Sequence, residues 1–299
     1  MVAILLATYN GKKYVKEQID SILKQKDVLI KIFISDDLST DGTLEFIRKE
    51  YSNNKEIKIL ESTQKFGSAA KNFFRLIKDV DFSNFDFVAF ADQDDIWNDD
   101  KLIHSILTLK QKNCDIYSSN VLAFWENGVE AIINVSYPQV KYDFLFESGG
   151  PGCTFVLNIN FANNFKKHLM NKWQNANKVL VHDWYCYAYA RHNSFKWFID
   201  KTVTMHYRQH SSNEIGTDVG LKSFIRSTKR VIKKDTMQEV LKIVNLLEMQ
   251  NDTFVRKWYS LSRLSMLRLS LYCYMCRRRL KNKILFFFMC IMIAIIKKN

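Results

Sequence analysis

The chain has 299 residues, 47% of them hydrophobic and 14% aromatic, with only two prolines. That composition excludes a disordered or collagenous chain and provides for a sizeable core, in one large domain or in one domain plus an appendage. The net charge of +13 is unevenly placed: residues 221–299 carry 18 Lys+Arg and 4 Asp+Glu, leaving 26 and 27 for residues 1–220. A near-neutral globule over residues 1–220 is therefore expected to precede a strongly basic extension over 221–299, of the kind drawn to nucleic acid or anionic membrane. The six cysteines are scattered without a disulfide framework and fit a reducing compartment. The N-terminus lacks the basic and long apolar regions of a secretory signal.

Val2–Thr8 is a short apolar run that predicts a buried parallel strand, broken at Tyr9-Asn10-Gly11. Tyr14, Ile19, Ile22 and Leu23 repeat with helical spacing. Ile30–Ile34 is a second strand ending at Ser35-Asp36-Asp37. Asp41 is a candidate N-cap for the helix that holds Leu44, Phe46 and Ile47. Ile57–Leu60 is a third strand, and Gly67 to Ile77 a loop and helix. Phe87–Ala91 is a fourth strand, and it empties into Asp92, Asp94 and Asp95, followed by Asp99 and Asp100. Like charges this close repel, so a positive partner is expected, and a hard divalent cation suits such oxygen donors. A solvated acidic loop capping the next helix is the alternative. Alternating strands and helices imply a parallel α/β sheet, in which ligands bind beyond the carboxyl ends of the strands. Three polar clusters, Thr8–Asn10, Ser35–Asp37 and Asp92–Asp94, fall at such ends.

A helix is expected from Lys101 to Lys112 and a strand over Asp115–Trp125. Gly149-Gly150-Pro151-Gly152 holds three of the nine glycines and is the tightest loop signal in the chain. A strand over Cys153–Leu157 and a helix over Asn160–Met170 follow. His182-Asp183-Trp184 opens an aromatic helix through Arg191. Phe195–Phe198 and Thr202–Tyr207 read as two short strands, with Tyr207–His210 at their end and a loop over Ser211–Gly216.

From Leu221 the pattern is helical and basic. Helices are expected around Ile225–Ile232, at Val240–Leu247 and at Trp258–Leu271. Arg277–Lys283 then precedes thirteen apolar residues, Ile284–Ile296, closed by Lys297 and Lys298. A spanning helix needs roughly 20 apolar residues, so this one is expected to lie in a membrane interface or to pack on the protein or a second copy of it.

Taken in order, Ala7–Gly11, Ser35–Thr43, Ala91–Trp97 with Lys101-Leu102, Gly149–Cys153, His182–Trp184 and Tyr207–His210 with Asn213 resemble the family 2 glycosyltransferases. The likeness is to the bacterial rhamnosyltransferase-type members that build surface polysaccharides, and it covers roughly residues 2–216. It implies a GT-A fold, a Rossmann-like, mostly parallel central sheet flanked by helices, to which the basic helical extension is appended. By this resemblance Thr8, Tyr9, Asn10 and Asp37 lie at the nucleotide base and ribose. Lys71 stands where the family contacts nucleotide, commonly with Arg, and its alternative is a helix-surface lysine. Asp92 faces the ribose, Asp94 the metal with Asp95 a substitute, His210 is a third metal ligand or diphosphate contact, and Arg208 pairs with phosphate. Asp183 is the general base, with an N-cap role as its alternative. His182 stands where many relatives carry Glu. Gly150 and Trp184 belong to the acceptor side, and Trp97 is either a sugar platform or core.

The expected activity is inverting, metal-dependent glycosyl transfer using Mn2+ or Mg2+. The donor is a nucleoside diphosphate sugar such as dTDP-rhamnose, and the acceptor a glycan or lipid-linked glycan. The setting is cytoplasmic, peripheral on the inner face of the cell membrane through the tail, with a homodimer possible and no nucleic acid partner. The rival readings are a sugar nucleotidyltransferase, disfavoured by the single glycine in Thr8–Lys13, and an inactive membrane-bound scaffold of the same fold.

Overall fold

The computed structural model describes residues 1–210 and 235–296. The loop over 211–216 with Asn213, the expected helix around Ile225–Ile232, and Lys297 and Lys298 lie outside the described residues. Two compact units form. Among the described residues one takes 1–136 and 149–210, the other 137–148 and 235–296.

The first unit begins with three parallel strands, β1 (Val2–Thr8), β2 (Ile30–Asp36) and β3 (Ile57–Leu60), connected by α1 (Val15–Leu23) and α2 (Thr43–Glu50). After α3 (Ala69–Asp79) the chain returns to the other side of β1 as β4 (Phe87–Ala91), also parallel. Strand order in this half is β3-β2-β1-β4. The order reverses between β1 and β4, where an open α/β sheet leaves a crevice at its carboxyl edge. β1 is buried along its whole length, which is why it reads as an unbroken apolar run rather than an alternating one.

Beyond β4 the sheet is mixed. Its path continues through β8 (Val156–Asn158), β6 (Ile116–Trp125), β9 (Trp197–Gln209) and the two-residue β5 (Ile96–Trp97), with β7 (Glu130–Ile133) paired to β6. β8 runs antiparallel to both β4 and β6, and β5 antiparallel to β9, whereas β6 and β9 are parallel. The first half is parallel throughout, as expected, whereas the second half is mixed and keeps one parallel pairing, β6 with β9. The two short strands expected at Phe195–Phe198 and Thr202–Tyr207 are one long strand. Its register against β6 shifts around Ser119 and Asn120, where Asp200 accepts from Tyr117 (3.2 Å) and faces His104 at 2.9 Å. The expected strand over Cys153–Leu157 is shorter, because Gly152–Thr154 coil into a 3-10 turn.

α4 (Lys101–Lys112) starts after Asp100, whose side chain makes no cap hydrogen bond. Asp99 instead pairs with Lys26 at 3.0 Å. The two carboxylates are therefore not the side-chain cap that the acidic run suggested. α5 (Ile159–Asn171), α6 (Trp173–Ala176) and α7 (His182–His192) complete the unit.

The second unit holds α8 (Asp235–Leu246), α9 (Arg263–Ser270), α10 (Cys273–Cys276) and α11 (Leu280–Ile296). The helix expected over Trp258–Leu271 starts only at Arg263, where Ser262 caps the N–H of Ser265. Residues 137–148, which the sequence assigns to the first part, fold with this unit. Tyr142 stacks on Phe254 with ring centroids 4.0 Å apart. Asp143, fully buried, and Glu147 receive Arg278 at 3.7 and 3.1 Å, and Arg277 approaches Glu147 at 3.8 Å. Removing one partner from such a buried cluster strands the other charge. Arg278→Ala is expected to lower unfolding stability by about 3–5 kcal/mol. Urea denaturation of the two proteins checks this, and an unchanged midpoint contradicts it.

Candidate active site

The acidic loop after β4 is held from several directions. Arg208, near the end of β9, donates from Nε to the Asp94 carbonyl at 2.9 Å and from its terminal nitrogen to Glu17. Its backbone N–H reaches Asp95 at 3.2 Å, and its guanidinium sits 4.6 Å from the ring centroids of both Tyr14 and Phe124. With these contacts Arg208 braces the loop, and the expected pairing with phosphate is replaced by an internal one. Two residues on, His210 Nε2 stands 2.7 Å from Asp94 Oδ2, and its ring stacks on Tyr14 at 5.1 Å. Asp95 is fully buried. Burial, then the charges of Asp94 and Asp92, push its carboxyl well above the usual range. That inward placement makes it a poor substitute for Asp94.

Lys101 is fully buried as well and donates to the Cys153 carbonyl at 2.6 Å. Burial lowers its ammonium to about 7, against the pull of Asp95 and Asp92. The ammonium lies 3.2 Å from the Trp97 ring centroid. Trp97 is itself 2% exposed, and its backbone N–H donates to the Ser21 hydroxyl at 3.0 Å. It is core, and it offers no face to a sugar.

At the end of β1 the Thr8 hydroxyl is buried and donates to Asp36 at 2.8 Å, so Thr8 shapes the floor and does not face a base. Tyr9 is exposed and Lys65 Nζ lies 3.0 Å from its hydroxyl. Gln93 holds the Tyr9 backbone through both its N–H and carbonyl, at 2.8 and 2.9 Å. Asn10 adopts φ +48° and accepts the Thr40 N–H at 2.8 Å. Asp37 accepts the N–H groups of Phe66 and Gly67, the latter at 2.8 Å, and so joins β2 to the loop before α3. A carboxylate has capacity for further donors. Lys71 stands in the first turn of α3, its own N–H capped by Ser68 at 3.3 Å.

Asp183 lies in the first turn of α7, where its Oδ1 accepts the next residue's N–H at 2.6 Å. A Cβ on Gly152 would come within 3.1 Å of Asp183 Cβ and 2.9 Å of His182 Nε2, so the glycine loop passes directly against this pair. The neighbouring Cys153 has its sulfur within 4.8 Å of carboxylate oxygens of Asp92 and Asp95. His182 stacks on Phe73 at 4.0 Å and lies 5.8 Å from Phe90, in the strand that ends at Asp92's doorstep. One segment, Gly152-Cys153, thus spans from Asp183 to the acidic loop. Gly150 adopts φ +138°, open only to glycine without strain. Trp184 is 8% exposed and has little ring surface to stack on an acceptor.

The donor set can be judged for a hard divalent cation. Two cis ligands of an octahedral ion with bonds of about 2.0–2.1 Å stand about 3 Å apart, close to the Asp94–His210 separation of 2.7 Å. Asp92, Asp95 and Cys153 are a second grouping. Burial raises the Cys153 thiol well above its ordinary range, and a protonated thiol is a poor partner for a hard ion. Asp94 with His210 is the pair whose chemistry and spacing fit. Sequence reasoning missed Tyr14, Gln93 and Lys101 as parts of this architecture. The signals were there without an assigned role: Gln93 and Lys101 stand inside the Ala91–Trp97 and Lys101-Leu102 motif, and Tyr14 lies three residues after Ala7–Gly11.

Residues 3–169 match the family described as Glycosyl transferase family 2. The chain belongs to the family 2 glycosyltransferases. It is 41% identical over 288 residues to the dTDP-rhamnosyl transferase RfbG of Shigella flexneri, covering 96% of this chain and 99% of that protein. Among solved structures, S. aureus TarS 1–349 in complex with UDP superposes with TM-score 0.54 at 14% identity, over 97% of this chain and 90% of that one. The mannosyltransferase PcManGT of Pyrobaculum calidifontis, solved with GDP-Man and Mn2+, gives 0.52 at 12% identity, over 99% and 86%. Both likenesses speak to the fold, which is GT-A. The protein is a glycosyltransferase that takes its sugar from a nucleotide donor.

In this glycosyltransferase His182 Nε2 is sealed without a hydrogen-bond partner, and burial lowers the imidazole to about 3 from 6.5. The ring beside Asp183 is therefore neutral at neutral pH. Below pH 6.5 the unfolded chain binds a proton at this histidine that the native state refuses. Stability is then lost on acidification from about 6.5 toward 3, by up to about 1.4 kcal/mol per pH unit. His182→Phe, which keeps the stack on Phe73, is expected to flatten the stability-versus-pH slope between pH 6 and 4 by about 1 kcal/mol per unit. Denaturant titrations at several pH values measure this, and parallel slopes contradict it.

Proposed function

We propose that the protein is an inverting, metal-dependent rhamnosyltransferase of bacterial surface polysaccharide synthesis. It uses dTDP-rhamnose with Mn2+ or Mg2+, and a glycan or lipid-linked acceptor on the cytoplasmic side of the membrane. The observation that carries this reading is the Gly152-Cys153 segment. It touches Asp183 on one side and the Asp92–Asp95 loop on the other, so that a candidate base and a candidate diphosphate site share one wall. The near full-length likeness to a dTDP-rhamnosyl transferase supports the choice of donor.

In this reading Asp183 accepts the proton of the acceptor hydroxyl as its oxygen attacks the anomeric carbon. The bond from that carbon to the diphosphate breaks on the opposite face, the electron pair leaves with the diphosphate, and the configuration inverts. Asp94 and His210 would hold the divalent cation. When bound, the cation supplies Lewis-acid neutralisation of the leaving diphosphate. Tyr9, Asn10, Asp37 and Lys71 surround the nucleotide end of the crevice between β1 and β4. Gly150 and Gly152 keep the acceptor side open to close approach. His182 contributes shape without charge, so the carboxylate of Asp183 has no imidazolium at its side to weaken it as a base.

Purified protein incubated with radiolabelled dTDP-rhamnose, a divalent cation and a lipid-linked oligosaccharide extract is expected to release dTDP and label the extract. EDTA should abolish both. Asp183→Asn should lower transfer by about 10²–10⁴-fold while dTDP binding, followed by calorimetry, is kept. Asp94→Asn should weaken cation-dependent dTDP binding. Turnover that persists in EDTA, or an Asp183→Asn protein that transfers normally, overturns the mechanism. A preference for another nucleotide sugar overturns the donor alone.

A further inference from the structure

The described residues expose nineteen large hydrophobic side chains, and ten of them fall within Leu264–Ile296. They are not scattered. On α11, Ile284, Phe288, Met292 and Ile295 recur every three or four residues and are 38–71% exposed, while Phe286, Cys290 and Ala294 on the other side are buried. On α9, Leu264, Leu267 and Leu271 at its C-terminal edge are 45–68% exposed, while Met266 and Leu269 are buried. Spacing of three and four places each set on one helical face. Each helix therefore packs with one side and leaves an apolar side uncovered, well beyond the single exposed leucines that any surface carries.

Charge selects the occupant of these faces. From residue 253 to 299 the chain has eleven Lys and Arg and no Asp or Glu. Not all of them are free for a partner. Arg277 and Arg278 lie against Glu147 and Asp143 within their own unit. Arg263, Arg268, Arg279 and Lys281 are exposed. A second copy would bring an equally cationic surface against this one, and like charges oppose that contact. Nucleic acid matches the charge but gains little from bare leucine, isoleucine and phenylalanine. Apolar faces bordered by cations match an anionic lipid surface. No described helix is long and apolar enough to cross a membrane. The seventeen residues of α11 extend about 25 Å, against a hydrocarbon core of about 30 Å.

We infer that α9 and α11 form a docking surface for an anionic bilayer. Their exposed apolar faces enter the interface in the plane of the membrane, and Arg268, Arg279 and Lys281 pair with lipid phosphates. Arg277 and Arg278 are internal struts and take no part. This inference is independent of the reaction, because binding to lipid needs neither donor nor cation.

The test is sedimentation of the full chain with vesicles of phosphatidylcholine alone or with roughly a third phosphatidylglycerol, in low and high salt. Binding to the anionic vesicles is expected to be at least about tenfold tighter, given about 1 kcal/mol per surface cation, and to weaken in salt. Ile284→Asp with Phe288→Asp should abolish it, and Arg279→Glu with Lys281→Glu should reduce it about tenfold or more. Unchanged circular dichroism and urea midpoints certify folding; if the aspartate pair fails that control, Phe288→Ser alone takes its place. Absence of vesicle binding, equal binding to neutral vesicles, or no effect of the variants overturns the inference. So does a doubled mass by light scattering that Phe288→Ser returns to one chain, which assigns the faces to a second copy. Displacement of vesicles by duplex DNA at low salt assigns them to nucleic acid and overturns it equally.

Discussion

Mutual repulsion among Asp92, Asp94 and Asp95 is the constraint around which the larger unit is arranged. Three carboxylates in four residues stay together only if their charge is offset. The protein supplies part of that offset from within. Lys101 is buried close enough for its ammonium to feel Asp95 and Asp92, and Asp95 is pushed toward its neutral form. Arg208 grips the Asp94 carbonyl from the far end of β9. The cost of burying Lys101 is moderated by the Cys153 carbonyl and the Trp97 face. What remains outward is Asp94 with His210 at 2.7 Å, a pair whose separation suits two ligands of one cation. The internal cations thus carry the structural load, and the outward pair stays available for a ligand.

The same economy of space governs the other wall. Gly152 is a glycine because a Cβ there would strike His182 Nε2 at 2.9 Å and crowd Asp183. Gly149 is a glycine because a Cβ would meet Tyr187 and Trp197 at 2.7–2.9 Å. The loop is pinned by close packing against α7, and Ser118 adds a hydrogen bond to the Gly149 carbonyl at 2.7 Å. A charged residue at 182 would sit against Phe73 and Phe90 and pay heavily for its desolvation. A neutral imidazole fits that apolar stack. The position beside Asp183 is thus filled by a ring that packs and carries no charge.

What was legible in the sequence is what depends on local pattern. β1, β2 and β4 were visible as apolar runs because both their faces are covered, and the edge strand β3 because its isoleucines flank a single exposed Lys58. Their polar ends stood out because apolar runs stop abruptly there. The second half was harder. β8, β6, β9 and β5 pair across long sequence separations and in mixed directions, and no local signal encodes that. Phe195–Phe198 and Thr202–Tyr207 looked like two strands because Asp200 and Lys201 interrupt the pattern; the register shift absorbs them. Trp97 read equally well as core or platform, since an aromatic after an acidic loop says nothing about which way it points. Arg208 looked like a phosphate contact because the residues that occupy it, Glu17 and the Asp94 carbonyl, are far away in the chain. Residues 137–148 carried no mark of belonging with the tail, since their partners Arg277 and Arg278 lie more than a hundred residues on.

The separation of charge along the chain also bears on how an anionic nucleotide sugar reaches such a site. Residues 1–220 hold 26 cations against 27 acids, so that part has no net field to draw in a diphosphate. Long-range steering needs a sustained excess of one sign, and here that excess is confined to the tail. Donor capture must then rest on short-range features at the crevice between β1 and β4. In the proposed mechanism those are the Tyr9–Lys65 contact at 3.0 Å, Lys71 in the first turn of α3, and a cation that Asp94 and His210 would hold. Contacts at that range are less sensitive to salt than steering from a distance. Attraction of the tail to an anionic surface is salt-sensitive. The two processes thus rest on different charges in one chain, and ionic strength separates them.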